Sequence, residues 1–227
     1  MSLVYFKNVS KSYNGFLILD NITFTMEAGE FVSLVGRSGV GKTTLLKMLI
    51  REELPTKGKI YFNERDIAKL KGAELALLRR KIGVVFQDFK LLADRTAFEN
   101  VAFAMEVAGY SEEDIKKDVP EVLKLVNLQD KADHFPHQLS AGERQRTVIA
   151  RALIQRPELI LADEPTGNLD PINTWEIIKL LVKINELGTA VLLATHDKEI
   201  VNTLGRRVIS LENGKIIRDE QEGKYLI

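Results

Sequence analysis

Residues Gly36-Arg37-Ser38-Gly39-Val40-Gly41-Lys42-Thr43 spell G-x-x-x-x-G-K-[ST], a spacing suited to gripping phosphate. Glycines let successive backbone N–H groups close around an anion, and a helix beginning at the loop's end adds its partial positive charge. Lys42 then has the reach to meet the β- and γ-phosphates of a nucleotide, and the Thr43 hydroxyl suits a Mg²⁺ ligand. An ordinary glycine turn would share this spelling, but the flanks speak against one. Phe31-Val32-Ser33-Leu34-Val35 is a short β-branched, apolar run that reads as a buried strand, and Thr44 to Ile50 reads as a helix. Strand, glycine loop and helix together imply a nucleoside triphosphate site.

Two further segments carry chemistry. Glu158-Leu159-Ile160-Leu161-Ala162-Asp163-Glu164 is an apolar strand ending in paired carboxylates. Phosphoryl transfer to water needs one carboxylate at the Mg²⁺ shell and another group to orient or deprotonate the water. Asp163 suits the first role and Glu164 the second. Leu139-Ser140-Ala141-Gly142-Glu143 has two compatible readings. Ser140 and Glu143 have the S-x-x-E spacing of a helix capping box, and a capped helix start with a glycine backbone is also an anion site facing a γ-phosphate.

These residues need a framework, and the chain supplies strands first. Leu3 to Val9, Ile18 to Met26, Phe31 to Val35 and Lys59 to Phe62 read as strands, with turns at Ala28-Gly29-Glu30 and Asn63-Glu64. Helix enters at Glu74 to Arg80, and Ile82 to Phe86 is again strand-like. The middle reads as helical: Thr96-Ala97-Phe98-Glu99 is a capping box for a helix ending near Gly109, Ser111 starts another that Pro120 is expected to kink or divide, and a third runs from about Ser140 to Gln155. The last third alternates strand and helix as parallel βαβ units do: Leu159 to Ala162, Ile172 to Leu187 closed by Gly188, and Thr189 to Ala194. A terminal hairpin follows, with Asn213-Gly214 as a type I′ turn between Val208–Glu212 and Lys215–Arg218. His134, His137 and Trp175 read as loop and packing residues.

Composition narrows the class. The 227 residues are 45% hydrophobic and 28% charged, enough for one large domain with a full core. Lys+Arg and Asp+Glu are both 32, a balance that speaks against nucleic acid as the main partner. The absence of cysteine excludes disulfides and thiolate metal sites and fits a reducing compartment. Apolar runs such as Ala190 to Ala194 are too short to cross a bilayer, and the residues from Met1 to Lys7 do not read as a signal peptide.

The phosphate loop, the Leu139–Glu143 segment and the Asp163-Glu164 pair occur in the order and rough spacing of the ATP-binding cassette (ABC) ATPases, which the chain resembles over residues 1 to about 220. The resemblance implies an α/β fold of the ABC nucleotide-binding type: a P-loop, RecA-like core with an antiparallel β subdomain (1–88 and 157–227), and an inserted helical signature subdomain (89–156). It implies ATP and Mg²⁺ as ligands, with Gly36 through Thr44 around ATP and Thr43, Asp163 and Gln87 at the metal. Tyr13 resembles the aromatic that stacks on adenine, Gln87 the glutamine linking the metal and water site to the helical subdomain, and His196 the switch histidine on the γ-phosphate. Asn168 and Asp170, within Gly167-Asn168-Leu169-Asp170, resemble the loop touching a second subunit. The residues alone also allow Tyr13 as a strand-edge aromatic, Asp170-Pro171 as a helix start, and His196-Asp197 as a structural strand end.

In such proteins each ATP lies between the phosphate loop of one subunit and the signature segment, here Ser140-Ala141-Gly142-Glu143, of another. The resemblance therefore implies a head-to-tail homodimer formed on ATP. The usual signature is L-S-G-G-Q, so Ala141 and Glu143 depart from it; Glu143 places a negative charge near an anion, which Arg144 and Arg146 are expected to offset. Phe86-Gln87-Asp88-Phe89-Lys90-Leu91-Leu92, Asp94-Arg95-Thr96, Glu99-Asn100-Val101, Met105 to Gly109 and Ala162 to Asp170 further resemble the cell-division (FtsE-type) branch of that superfamily. This branch works with an integral membrane partner of the FtsX type to activate peptidoglycan hydrolases, which implies a cytoplasmic subunit, peripheral on the inner face of the cell membrane. Docking of that partner is expected near Gln87 and Phe89, in a loop rich in exposed apolar residues, with core packing as the alternative for Phe86 and Leu91. Two other roles fit the same motifs: the ATPase of a lipoprotein-release or macrolide-type exporter, and a soluble ABC protein acting on ribosomes or DNA.

Overall fold

The computed structural model describes residues 2–225; Met1, where the signal-peptide reading begins, and residues 226–227, at the end of the expected domain, lie outside it. The described residues form two sheets. β1 (Ser2–Tyr13), β2 (Phe16–Glu27), β4 (Lys57–Phe62) and the short β5 (Arg65–Asp66) make an antiparallel sheet in the order β2-β1-β4-β5. β3 (Phe31–Val35), β6 (Ile82–Phe86), β7 (Leu159–Asp163), β8 (Ala190–Thr195) and β9 (Arg207–Glu212) are parallel, and β10 (Lys215–Glu220) adds antiparallel to β9, in the order β10-β9-β3-β8-β7-β6.

The parallel strands are apolar throughout because both of their faces are covered. Their period-2 alternation assigns each face to its own core. Val32, Leu34, Leu159, Leu161, Leu192 and Ala194 face α1 (Lys42–Leu49) and the antiparallel sheet. Phe31, Val85, Ile160, Ala162, Val191 and Leu193 face α3 (Ala97–Ala108), α4 (Glu112–Leu125), α5 (Ala141–Leu153) and α6 (Pro171–Glu186). α2 (Ala73–Arg80) precedes β6. α3, α4 and α5 all lie between β6 and β7 in the chain, and α5 packs directly on β6.

Several expectations change. Pro120, expected to kink or divide its helix, does not divide it: α4 runs unbroken from Glu112 to Leu125. The proline removes one helix hydrogen bond, but Ile115, Val119 and Leu123 form a buried stripe on the second core, and that packing holds the helix together. A helix absent from the sequence reading, α7 (Lys198–Leu204), fills the space between β8 and β9, capped by Asp197 and closed by Gly205 at φ 56°. The Asn213-Gly214 turn has both residues at positive φ, 48° and 74°, as a type I′ turn requires.

Candidate functional site

Strand register brings the chemical residues to one edge. Phe86 pairs with Asp163 and Asp163 with Ala194, while Val35 pairs with Thr195. Gln87, Glu164, His196 and Gly36 therefore leave the same, carboxyl, edge of the parallel strands, where open α/β sheets bind ligands.

There the loop from Gly36 to Gly41 wraps into α1. Gly36, Gly39 and Gly41 have φ of 155°, 80° and 109°, a backbone open to glycine. α3 to α7 each begin with a side chain capping the first-turn N–H groups, whereas α1 has no side-chain cap and no acidic residue in its first turn. Its N–H groups and dipole are left for an anion. A cleft of about 730 Å³ opens here, lined by Tyr13, Ser38, Gly39, Gly41, Lys42, Thr43, Thr44, Gln87, Asp163, Glu164 and Asn168. Arg37 and Val40 instead line a neighbouring hollow with Leu17 and the β9–β10 turn, and Gly36 contributes its carbonyl to Lys42.

Lys42 is buried and donates to the carbonyls of Gly36 (2.7 Å) and Arg37 (3.4 Å). Its ammonium lies 3.4 Å from Glu164 Oε1, an oxygen that also meets His196 Nδ1 at 2.8 Å. The His196 backbone N–H donates to the other Glu164 oxygen at 3.4 Å. Glu164 sits at φ 47°, a left-handed state that a glutamate adopts at a cost, fixed by the bond from its N–H to the Ala194 carbonyl (2.9 Å). Burial pushes the Asp163 carboxyl above its ordinary range; a Thr43 hydroxyl hydrogen bond opposes that shift and the Glu164 charge adds to it. Asp163 Oδ1 is buried without a hydrogen-bond partner. An orphaned carboxylate oxygen beside a threonine hydroxyl fits the donor set of a Mg²⁺ that takes its other ligands from phosphates and water. No cluster of three or more His, Cys, Asp or Glu suited to a metal occurs among the described residues.

The remaining expected residues divide. Tyr13 ends β1 at the cleft, 37% exposed, with Lys11 Nζ 4.6 Å from its ring centroid. Asn168 donates to the Gln87 carbonyl at 3.0 Å. Asp170 caps α6 by accepting from the Ile172 and Asn173 N–H groups at 2.9 and 3.0 Å, with Pro171 at the first helical position. Ser140 to Glu143 do not line this cleft. They form the capping box of α5: Glu143 N–H donates to Ser140 Oγ (3.2 Å) and Ser140 N–H to Glu143 Oε2 (2.8 Å). At Gly142 the first turn of α5 runs so close to Asn173 that an added Cβ would lie 2.0 Å from its Oδ1.

The expected arginine compensation of Glu143 falls chiefly to another residue. Arg144 donates to the carbonyls of Leu139 and Pro136 and stands over the Phe89 ring, while Arg146 pairs with Glu176 at 2.9 Å and its charge still helps, after Lys131, to lower the Glu143 pKa. The cation nearest Glu143 is Lys131 at 3.8 Å, nine residues before Ser140 and without a sequence signal. The Phe86–Leu92 loop differs too: Gln87, Asp88 and Lys90 are exposed, but Phe86, Phe89, Leu91 and Leu92 are half-buried, and Phe89 and Leu91 pack against the second core. His134 and His137 take no part in the cleft, and Trp175 packs on the second core.

Residues 19–167 match the family model described as ABC transporter. The chain is 55% identical over 224 residues, 98% of each chain, to the cell division ATP-binding protein FtsE of Bacillus subtilis, and 46% identical over 225 residues, again 98% of each, to the protein of that name in Mycobacterium tuberculosis. Among solved structures it is similar to a dimeric ATP-binding cassette in a post-hydrolysis state with ADP and phosphate (39% identity, TM-score 0.87, covering 98% of this chain and 100% of that one). A second is cbiO1 of Clostridium perfringens, part of an ABC transporter complex (31% identity, TM-score 0.89, covering 97% and 89%).

Proposed function

The chain belongs to the ABC transporter family, and on that premise we propose that it is the ATP-hydrolysing motor subunit of a bacterial cell-division complex. Its fold is the mixed α/β cassette fold, and its ligand class is ATP and ADP. The observation that carries the reading is the carboxylate of Glu164, held by Lys42 and His196 at the mouth of a cleft walled by an uncapped helix.

In this reading Gly36 to Thr44 cradle the phosphates, Lys42 exchanges its contacts for phosphate oxygens, and Tyr13 stacks on the base. Glu164 orients the attacking water and takes its proton, while His196 fixes that carboxylate and meets the γ-phosphate. Thr43, Asp163 and Gln87 would hold Mg²⁺, which when bound would supply charge neutralisation to the transferred phosphoryl group. Because Ser140 to Glu143 sit outside their own cleft, the uncapped side of the nucleotide is completed by a second copy, with Asn168 and Asp170 at the seam. ATP closes this homodimer by binding better to the closed state than to separated subunits.

No helix among the described residues is long and apolar enough to cross a membrane. In the same reading the motor acts on an integral membrane subunit of FtsX type, docking near Gln87 and Phe89 from the inner face of the membrane, where Gln87, Asp88 and Lys90 are exposed. The division role is supported by relatives of that name matching along 98% of both chains.

The test is capture of Glu164→Gln with Mg-ATP from its native membranes. The variant is expected to bind ATP, hydrolyse it at least about 100-fold more slowly, accumulate as dimer and retain a division-type membrane subunit. A variant that stays monomeric in Mg-ATP at every concentration would sink the sandwich, and recovery of an exporter subunit would make the chain a transport motor.

A further inference from the structure

The loop carrying Gln87 is held in an unfavourable backbone state by the helix whose other end bears Ser140 to Glu143. Phe89 and Lys90 have φ of 56° and 49°, two consecutive non-glycine residues in the left-handed region, at about 1 kcal/mol or more each. Such a conformation persists only where neighbours over-determine it. Here the neighbour is Arg151 on α5: Nη1 donates to the Lys90 carbonyl at 2.8 Å and Nη2 to the Phe89 carbonyl at 3.2 Å. A planar guanidinium spans two successive carbonyls in a way no lysine can.

Other contacts close the loop on the same side. Arg144, seven residues earlier and so on the same face of α5, stands 5.1 Å from the Phe89 ring centroid. Gln145 Nε2 reaches the Phe86 carbonyl at 3.4 Å. Downstream, buried Asn100 ties off the chain, accepting from Leu92 N–H and donating to the carbonyls of Leu92, Arg95 and Thr96. Arg151 itself does not line the nucleotide cleft; it lies in a hollow beside β6 with Arg79, Arg80 and Gln155. Its effect on chemistry must pass through the loop.

We propose that Arg151 is a positioning residue for Gln87, clamping the Phe89 and Lys90 carbonyls so that the loop presents Gln87 to the cleft and follows α5. This rests on the proposed ATPase reading, in which Gln87 serves the metal and water. It also makes α5 the physical link between the two sites of the proposed dimer: its first turn serves the partner's nucleotide while Arg151, near its last turn, holds this chain's own Gln87.

The test is a double-mutant cycle on the full chain, reading steady-state ATP turnover and, separately, ADP affinity for the wild type, Gln87→Ala, Arg151→Met and the double variant. Methionine keeps much of the stem's volume and removes both donors. Arg151→Met is expected to lower kcat about tenfold with ADP affinity within about twofold of wild type. In the Gln87→Ala background it should cost less than about twofold further, because the residue it positions is gone. An equal loss in both backgrounds would mean that Arg151 acts independently of Gln87, and a parallel loss of kcat and ADP affinity would mean a general structural role; either overturns the proposal. Wild-type turnover for Arg151→Met beside an impaired Gln87→Ala overturns it while leaving the ATPase reading intact. Wild-type turnover for Gln87→Ala removes the role of Gln87 itself. If Arg151→Met fails to fold, Arg151→Lys, which keeps the charge but not the fork, runs through the same cycle.

Discussion

The Glu143 carboxylate is engaged from two directions, by the Ser140 N–H at 2.8 Å and by Lys131 at 3.8 Å. The Ser140 backbone bond, above all, holds its pKa below the ordinary 4.5. A carboxyl whose pKa is lowered by folding stabilises the fold above its ordinary value, and that contribution fades as pH falls from 4.5 through the folded value. Glutamine serves the same capping box without titrating. Glu143→Gln is thus expected to leave stability at pH 7 within about 0.5 kcal/mol and to flatten the acid limb below pH 4.5, measured by thermal melts across pH. A variant curve parallel to wild type in acid would refute the linkage. The capping box is local, so Ser140 and Glu143 were legible as neighbours in the sequence. Lys131 was not, because a turn far outside that spacing delivers it.

Helix α5 is the element on which both the core and the site depend. It lies across β6 at Gly83, where an added Cβ would stand 2.8 Å from the Ala152 carbonyl and 2.6 Å from Ile160 Cδ1. One neighbour is backbone and cannot swing aside, so Gly83→Ala must push the helix off the strand. The expected loss is about 1–3 kcal/mol, read as a lower denaturant midpoint at unchanged slope; unchanged stability would mean that α5 can shift on β6 without cost. The glycine sits inside a run that otherwise reads as a uniform buried strand, and its purpose appears only when the helix is laid on it. Pro120 teaches the converse: a local breaker is overruled when Ile115, Val119 and Leu123 bury one helical face. Helix α7 had its cap at Asp197 and its stop at Gly205, but its seven residues give too short a period to stand out.

At the scale of the molecule, the two sheets are joined by polar contacts as well as by the first core, and Arg207 makes the most buried of them. Arg207 on β9, 9% exposed, makes two bonds to Asp219 on β10 (2.7 Å each), one to Glu30 (2.8 Å) and one to the Thr25 carbonyl of β2 (2.9 Å). The Asp219 hydrogen bonds raise its pKa above the ordinary arginine value. Arg207→Met strands Glu30 and a strand carbonyl, and is expected to cost on the order of 2 kcal/mol, less than a wholly buried triad because Asp219 is 36% exposed. Chemical denaturation checks it, and a neutral result would mean that water replaces the guanidinium. Nothing near Arg207 in the chain announces these partners, which come from positions 25, 30 and 219. The phosphate loop, the paired carboxylates, the capping boxes and the apolar strands were set by the sequence alone, because glycine freedom, cap spacing and side-chain alternation act within a few residues. Only the tertiary structure decided the contacts by which Lys42, Glu164 and His196 meet at one strand edge and by which Arg151 holds the Gln87 loop. Those outcomes depend on strand order, register and helix seating, which are chosen by burying two faces of a sheet at once and not by any local run of residues.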